Sequence, residues 1–115
     1  MSNSPIDIPT FEALKEAAGS EFVLELVDTF LGEAPAMLDD LRGALAANDA
    51  DRFRRGAHSL KSNSMTFGAL ALGAMAKSLE LGGIGPVQQA GGKPLDSLVD
   101  EYARVAQALA ELKRA

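Results

Sequence analysis

The chain has 115 residues with 47% hydrophobic and 23% charged side chains, the composition and size of one globular domain with a true core. It holds no cysteine and one histidine, which excludes disulfides and thiolate chemistry and argues against a zinc site. The net charge of −5 argues against a nucleic-acid binder. Residues 51–61 nonetheless carry a local +3 against −8 elsewhere, a basic spot able to steer an acidic partner unless it is simply a solvated helix face. No run of 18 apolar residues and no basic, apolar leader occurs, so a soluble, cytoplasmic protein without membrane contact is expected.

Residues 1–9 are polar and contain Pro5 and Pro9, which predicts a flexible tail ahead of a domain spanning residues 10–115. Thr10 is the candidate cap of a short helix over Phe11–Ala18, ended by Gly19. Ser20 offers a second cap, with Glu21 placed favourably in the next helix dipole. The apolar series Phe22, Leu26, Val27, Phe30, Leu31, Ala34, Leu38, Leu41 and Leu45 then predicts a long helix to Ala47, kinked at Pro35. Its apolar arc, from Leu26 round to Leu31, is wider than one core-facing stripe needs; it is either covered by two neighbouring helices or partly left for docking.

Asn48 or Asp49 caps a third helix over 51–66, and Gly68 breaks the chain before a fourth over Ala69–Leu81. Residues 82–94 hold five glycines and two prolines and read as a flexible connection. A last helix is expected over Leu95–Lys113, with Leu98, Val99, Tyr102, Val105, Ala106, Leu109 and Leu112 inward. The expected fold is all-α: an antiparallel up-down-up-down four-helix bundle with a short additional N-terminal helix.

On the third helix, Phe53, Ala57, Leu60 and Ser64 recur at helical spacing and mark one stripe. At about 100° per residue, His58 points about 125° away from it. Arg54, Arg55, Lys61 and Ser62 lie three or four positions from His58 and share its face. An outward imidazole among cations and small residues suits an anion on its ring nitrogen.

The run from Ala57 to Ala69, Ala-His-Ser-Leu-Lys-Ser-Asn-Ser-Met-Thr-Phe-Gly-Ala, resembles the histidine-containing phosphotransfer (HPt) family. The features shared are a histidine, a lysine three residues on, a small residue next and a glycine ten beyond the histidine: His58, Lys61, Ser62 and Gly68. The likeness extends over residues 10–115. It departs at Ser62, where the family usually has glycine; serine is still small enough for a partner to close over the imidazole.

The resemblance implies a phosphocarrier that passes a phosphoryl group between His58 and receiver-domain aspartates in a two-component phosphorelay. It implies no ATP binding and no kinase activity, and the sequence holds no Gly-rich Lys loop or kinase signature. Response-regulator receivers and a sensor or hybrid histidine kinase are the implied partners of a monomer. No cofactor is expected: the divalent metal belongs to the receiver, since no carboxylates cluster near His58 in the sequence.

Attack is assigned to Nε2 of His58, with the other ring nitrogen held by an acceptor. Glu80 stands where the family often supplies one; it bonds directly, bonds through one water, or is merely solvated. Lys61 is expected to offset phosphate charge. Arg54 and Arg55 either meet the receiver's acidic rim or stay solvated. Met65 is either an adaptable partner contact or part of the packing. Gly68 is expected as a helix end with positive φ.

Two other classes compete: a helical module that binds a receiver or kinase without carrying phosphate, and a catalytic domain using His58 as a general base. The second needs a pocket and an orienting acid, which an exposed helix face does not offer.

Overall fold

A computed structural model describes residues 4–114, and these form an all-helical domain. Six helices follow one another: α1 (Ile8–Ala18), α2 (Ser20–Ala46), α3 (Ala50–Thr66), α4 (Leu70–Gly82), α5 (Ile84–Gln89) and α6 (Lys93–Arg114). One more helix is present than the periodicity predicts.

The start of the chain differs from expectation. Asp7, not Thr10, caps α1: its carboxylate accepts the Thr10 backbone N–H at 3.2 Å and the Thr10 hydroxyl. Helix begins at Ile8 because Pro9, in the first turn, forfeits no intrahelical bond there. Ile6 is only 1% exposed and sits with Phe11 in the core, at the positions of a hydrophobic staple. The Asp7 N–H also donates to the Gly68 carbonyl at 2.7 Å. Residues 6–9 are therefore part of the folded body rather than a tail, and residues 1–3 lie outside the described residues. Ser20 likewise does not cap α2; Gly19, at φ 92°, takes that position without a side-chain bond.

α2 runs unbroken for 27 residues through Pro35, about 40 Å at 1.5 Å per residue. It buries Val23, Val27, Phe30, Ala34, Leu38, Leu41 and Ala44. Phe22, expected inward, is 52% exposed, and Val23 takes the buried position instead. Leu26 and Leu31, the edges of the wide arc, are partly buried against the core.

Asp49 caps α3 by accepting the Arg52 N–H at 3.1 Å. Phe53, Ala57, Leu60 and Ser64 form its buried stripe. Among the described residues the one buried polar side chain, Ser64, is satisfied by donating to the Leu60 carbonyl at 2.7 Å. The connection at 82–94 is not featureless: Ile84 and Val87, three residues apart, bury themselves and hold the six-residue α5 against α4, α3 and α6. α6 then starts at Lys93, two residues earlier than expected, with Pro94 in its first turn.

Packing runs from α2 to α3, α3 to α4, α4 to α6 and α6 back to α2, with α1 against α2. Phe30 ties the ring together, its centroid 5.5 Å from Phe67 and 6.0 Å from Tyr102. Gly68 has φ 82°, and a Cβ there would lie 2.9 Å from the Asp7 carbonyl oxygen and 2.9 Å from Thr10 Cβ. Gly68→Ala should therefore lower stability by about 2 kcal/mol. Gly32→Ala, in open space on helical backbone, should raise it by roughly 0.5–1 kcal/mol. Urea unfolding of both variants checks the contrast.

Candidate functional site

Two close helix contacts set the site. A Cβ on Gly56 would stand 3.1 Å from Leu41 Cδ2, so α3 lies tight on α2. On the other side, a Cβ on Gly73 would fall 2.4 Å from Met65 Sδ, so α4 lies tight on α3. α3 and α4 then run alongside each other far enough to put Glu80 opposite His58, 22 residues earlier.

The ring of His58 is 57% exposed while Glu80 is only 15% exposed. Glu80 Oε2 lies 2.7 Å from His58 Nδ1. Its other oxygen, Oε1, lies 3.0 Å from Lys61 Nζ. One carboxylate thus holds the imidazole and the ammonium from below. With Nδ1–H donated to Glu80, the lone pair on Nε2 belongs to the exposed side of the ring. The Lys61 hydrogen bond, followed by that of His58, holds the Glu80 carboxyl below its ordinary value, against the opposing effect of burial.

The basic residues do not form a free cluster. Asp51 takes both neighbours: Arg54 Nη2 is 2.8 Å from Oδ1 and Arg55 Nε is 3.0 Å from Oδ2. The Arg54 hydrogen bond and then the charge of Arg55 keep Asp51 below the usual carboxylate range. Arg52 reaches across to α2, with Nε 3.0 Å from Asp40 Oδ1. Arg54 and Arg55 are exposed on the His58 helix, as are Ser62 and Met65. Ser62, the residue after Lys61, is small and exposed. Among the described residues, no three His, Cys, Asp or Glu side chains gather into a metal site.

Sequence reasoning left two features unseen. The sharing of Glu80 between His58 and Lys61 has a signal only in hindsight: the two partners sit three apart on one face. The pairing of Arg54 and Arg55 with Asp51 was open to inspection, at spacings of three and four. A cavity of about 650 Å³ is lined by residues 4–9 with Gly68 and Glu101, and of the site residues singled out from the sequence only Gly68 borders it.

These observations meet an independent one. The sequence profile of the family described as Hpt domain matches residues 25–115. The chain belongs to that family, whose work is histidine phosphotransfer in two-component phosphorelays. Among solved structures it is similar to histidine-containing phosphotransfer protein B (HptB) from Pseudomonas aeruginosa PAO1. The two are 30% identical with a TM-score of 0.86, covering 98% of this chain and 97% of that one. No curated protein matches the sequence. Proteins of this family are phosphocarriers that interact with receiver domains and histidine kinases, and no described helix is long and apolar enough to cross a membrane.

The Glu80 pairings also set a pH dependence. A carboxyl whose pKa is depressed on folding stabilises fully above its unfolded value and loses that contribution as pH falls through the folded value. The stability advantage of the unsubstituted chain over Glu80→Gln should be constant well above pH 4.5 and vanish below it. Urea titrations between pH 3 and 7 read this directly; an advantage that grows in acid contradicts the pairing.

Proposed function

We propose that His58 is the phosphorylated residue and that Nε2 is the accepting atom. The observation that carries this is the Nδ1–Glu80 hydrogen bond beneath an otherwise exposed ring. In the forward step the Nε2 lone pair attacks phosphorus of an aspartyl phosphate on a receiver domain. The P–N bond forms, the P–O bond to the aspartyl carboxyl breaks, and the carboxylate leaves with the electron pair. The ring becomes an N-phosphorylated imidazolium, whose positive charge faces the Glu80 carboxylate. Transfer onward reverses the sequence toward a second aspartate.

Positioning and charge compensation are the main demands of such transfer. Lys61 neutralises the phosphoryl oxygens as they come to rest beside His58, a contribution greater in the transferring state than in the resting ion pair. Ser62 leaves room for the partner to close over the ring. Arg54 and Arg55 exchange Asp51 for the acidic rim of the receiver, and Met65 supplies a deformable apolar contact. Gly68 takes no chemical part; it ends α3 and receives Asp7. The divalent metal that the reaction uses is held by the receiver. The chain itself binds no nucleotide and has no kinase activity, which its lack of a Gly-rich Lys loop supports.

In this reading α2, α3, α4 and α6 are the antiparallel up-down-up-down bundle, supported by their closed ring of neighbours and the short turns at 47–49 and 67–69. The protein works as a cytoplasmic monomer. His58→Gln should keep the helical fold and lose all acid-labile labelling by a phosphorylated receiver. Lys61→Ala should still be labelled, with transfer slowed about tenfold, or ~1.4 kcal/mol in the barrier. Undiminished labelling of His58→Gln would refute the assignment.

A further inference from the structure

Beside the phosphotransfer site, between α3 and α4, runs a groove of about 420 Å³ lined by Lys61, Met65, Leu70, Gly73, Ala74 and Lys77. Its floor is low because Gly73 has no side chain, and Met65 lies across it. Five large apolar side chains stand exposed among the described residues, and Met65 and Leu70 are two of them. Two lysines flank this apolar strip. Lys61 is held by Glu80, whereas Lys77 makes no ion pair among the described residues. Two cations bordering an apolar channel, on a chain of net charge −5, select for an apolar side chain accompanied by a carboxylate.

We propose that the incoming receiver domain seats an apolar side chain with a neighbouring carboxylate in this α3–α4 groove, and that Leu70, Ala74 and Lys77 help determine which receivers the chain accepts. The proposal rests on the phosphocarrier reading and names how its partner is held. Lys61 belongs at once to the groove and to the Glu80 pairings, so the groove is continuous with the reacting centre. A receiver brought within bonding distance of His58 covers more than the ring. Even transient complexes bury several hundred Å² on each partner, far more than one imidazole and its ion pair provide. The groove is the adjoining surface whose chemistry is set up for a partner: flexible sulfur for fit, exposed apolar area for affinity, a free ammonium for sign.

The test uses the intact chain and the receiver domain that labels it fastest in a panel of phosphorylated receivers. Ala74→Gln fills the groove without touching a core residue, and Lys77→Glu reverses the charge at its edge. Each should raise the half-saturating receiver concentration about tenfold and leave the rate at saturation within twofold; Lys77→Glu should also flatten the salt dependence. Unchanged half-saturation in both variants overturns the proposal. So does a fall in the saturating rate alone, which would place these residues in the chemistry rather than in docking. Phosphoramidate, which needs no receiver, labels the unsubstituted chain in the same series. Failure at that step counts against the phosphocarrier reading, whereas unaltered receiver saturation with that labelling intact removes the groove alone.

Discussion

A single carboxylate organises the candidate site of this chain. Glu80 places one oxygen on His58 Nδ1 and the other on Lys61 Nζ, and so decides which ring nitrogen faces outward and where the nearest cation waits. The arrangement depends on α3 and α4 approaching closely, which small residues permit: Gly73 stands against Met65 Sδ, and Ala57, Ser64 and Ala76 are fully buried. A Cβ at Gly73 would meet the flexible end of Met65 at 2.4 Å and Ser64 Cβ only at 3.7 Å, so the Met65 side chain is what a larger residue there displaces. Core packing and site geometry are here the same constraint.

The surrounding charge is paired within the chain. Each arginine of α3 has a local carboxylate, Arg52 with Asp40 and Arg54 and Arg55 with Asp51, so the formal local excess overstates the field a partner meets at distance. Exposed pairs of this kind contribute little to stability. Lys61 differs, because its carboxylate is mostly buried and serves the imidazole as well.

Much of the fold was legible from periodicity. The stripe of Phe53, Ala57, Leu60 and Ser64 and the continuous α2 through Pro35 follow from apolar spacing alone. The misses have local physical reasons. Asp7 outcompetes Thr10 as a cap because Pro9 tolerates a helix start and Ile6 has a core to enter, and neither fact shows in a polar, proline-bearing run. α5 was hidden by glycines at 82, 83 and 85, although Ile84 and Val87 suffice to anchor one short helix. At the site, an outward His58 could be read from its angle on α3. Glu80 at 2.7 Å could not be derived from one helix, since the register between α3 and α4 is a tertiary quantity. The HPt resemblance pointed to Glu80; the geometry shows how it bonds.

The most direct measurement is the position of phosphorus on the ring. The chain labelled with ¹⁵N at His58 is phosphorylated by a receiver domain and its imidazole nitrogens are read by NMR through their coupling to ³¹P. Phosphorus on Nε2, with the proton kept on Nδ1 against Glu80, is the expected result. Phosphorus on Nδ1 would mean that the Glu80 hydrogen bond does not direct the reaction, and would contradict the central claim.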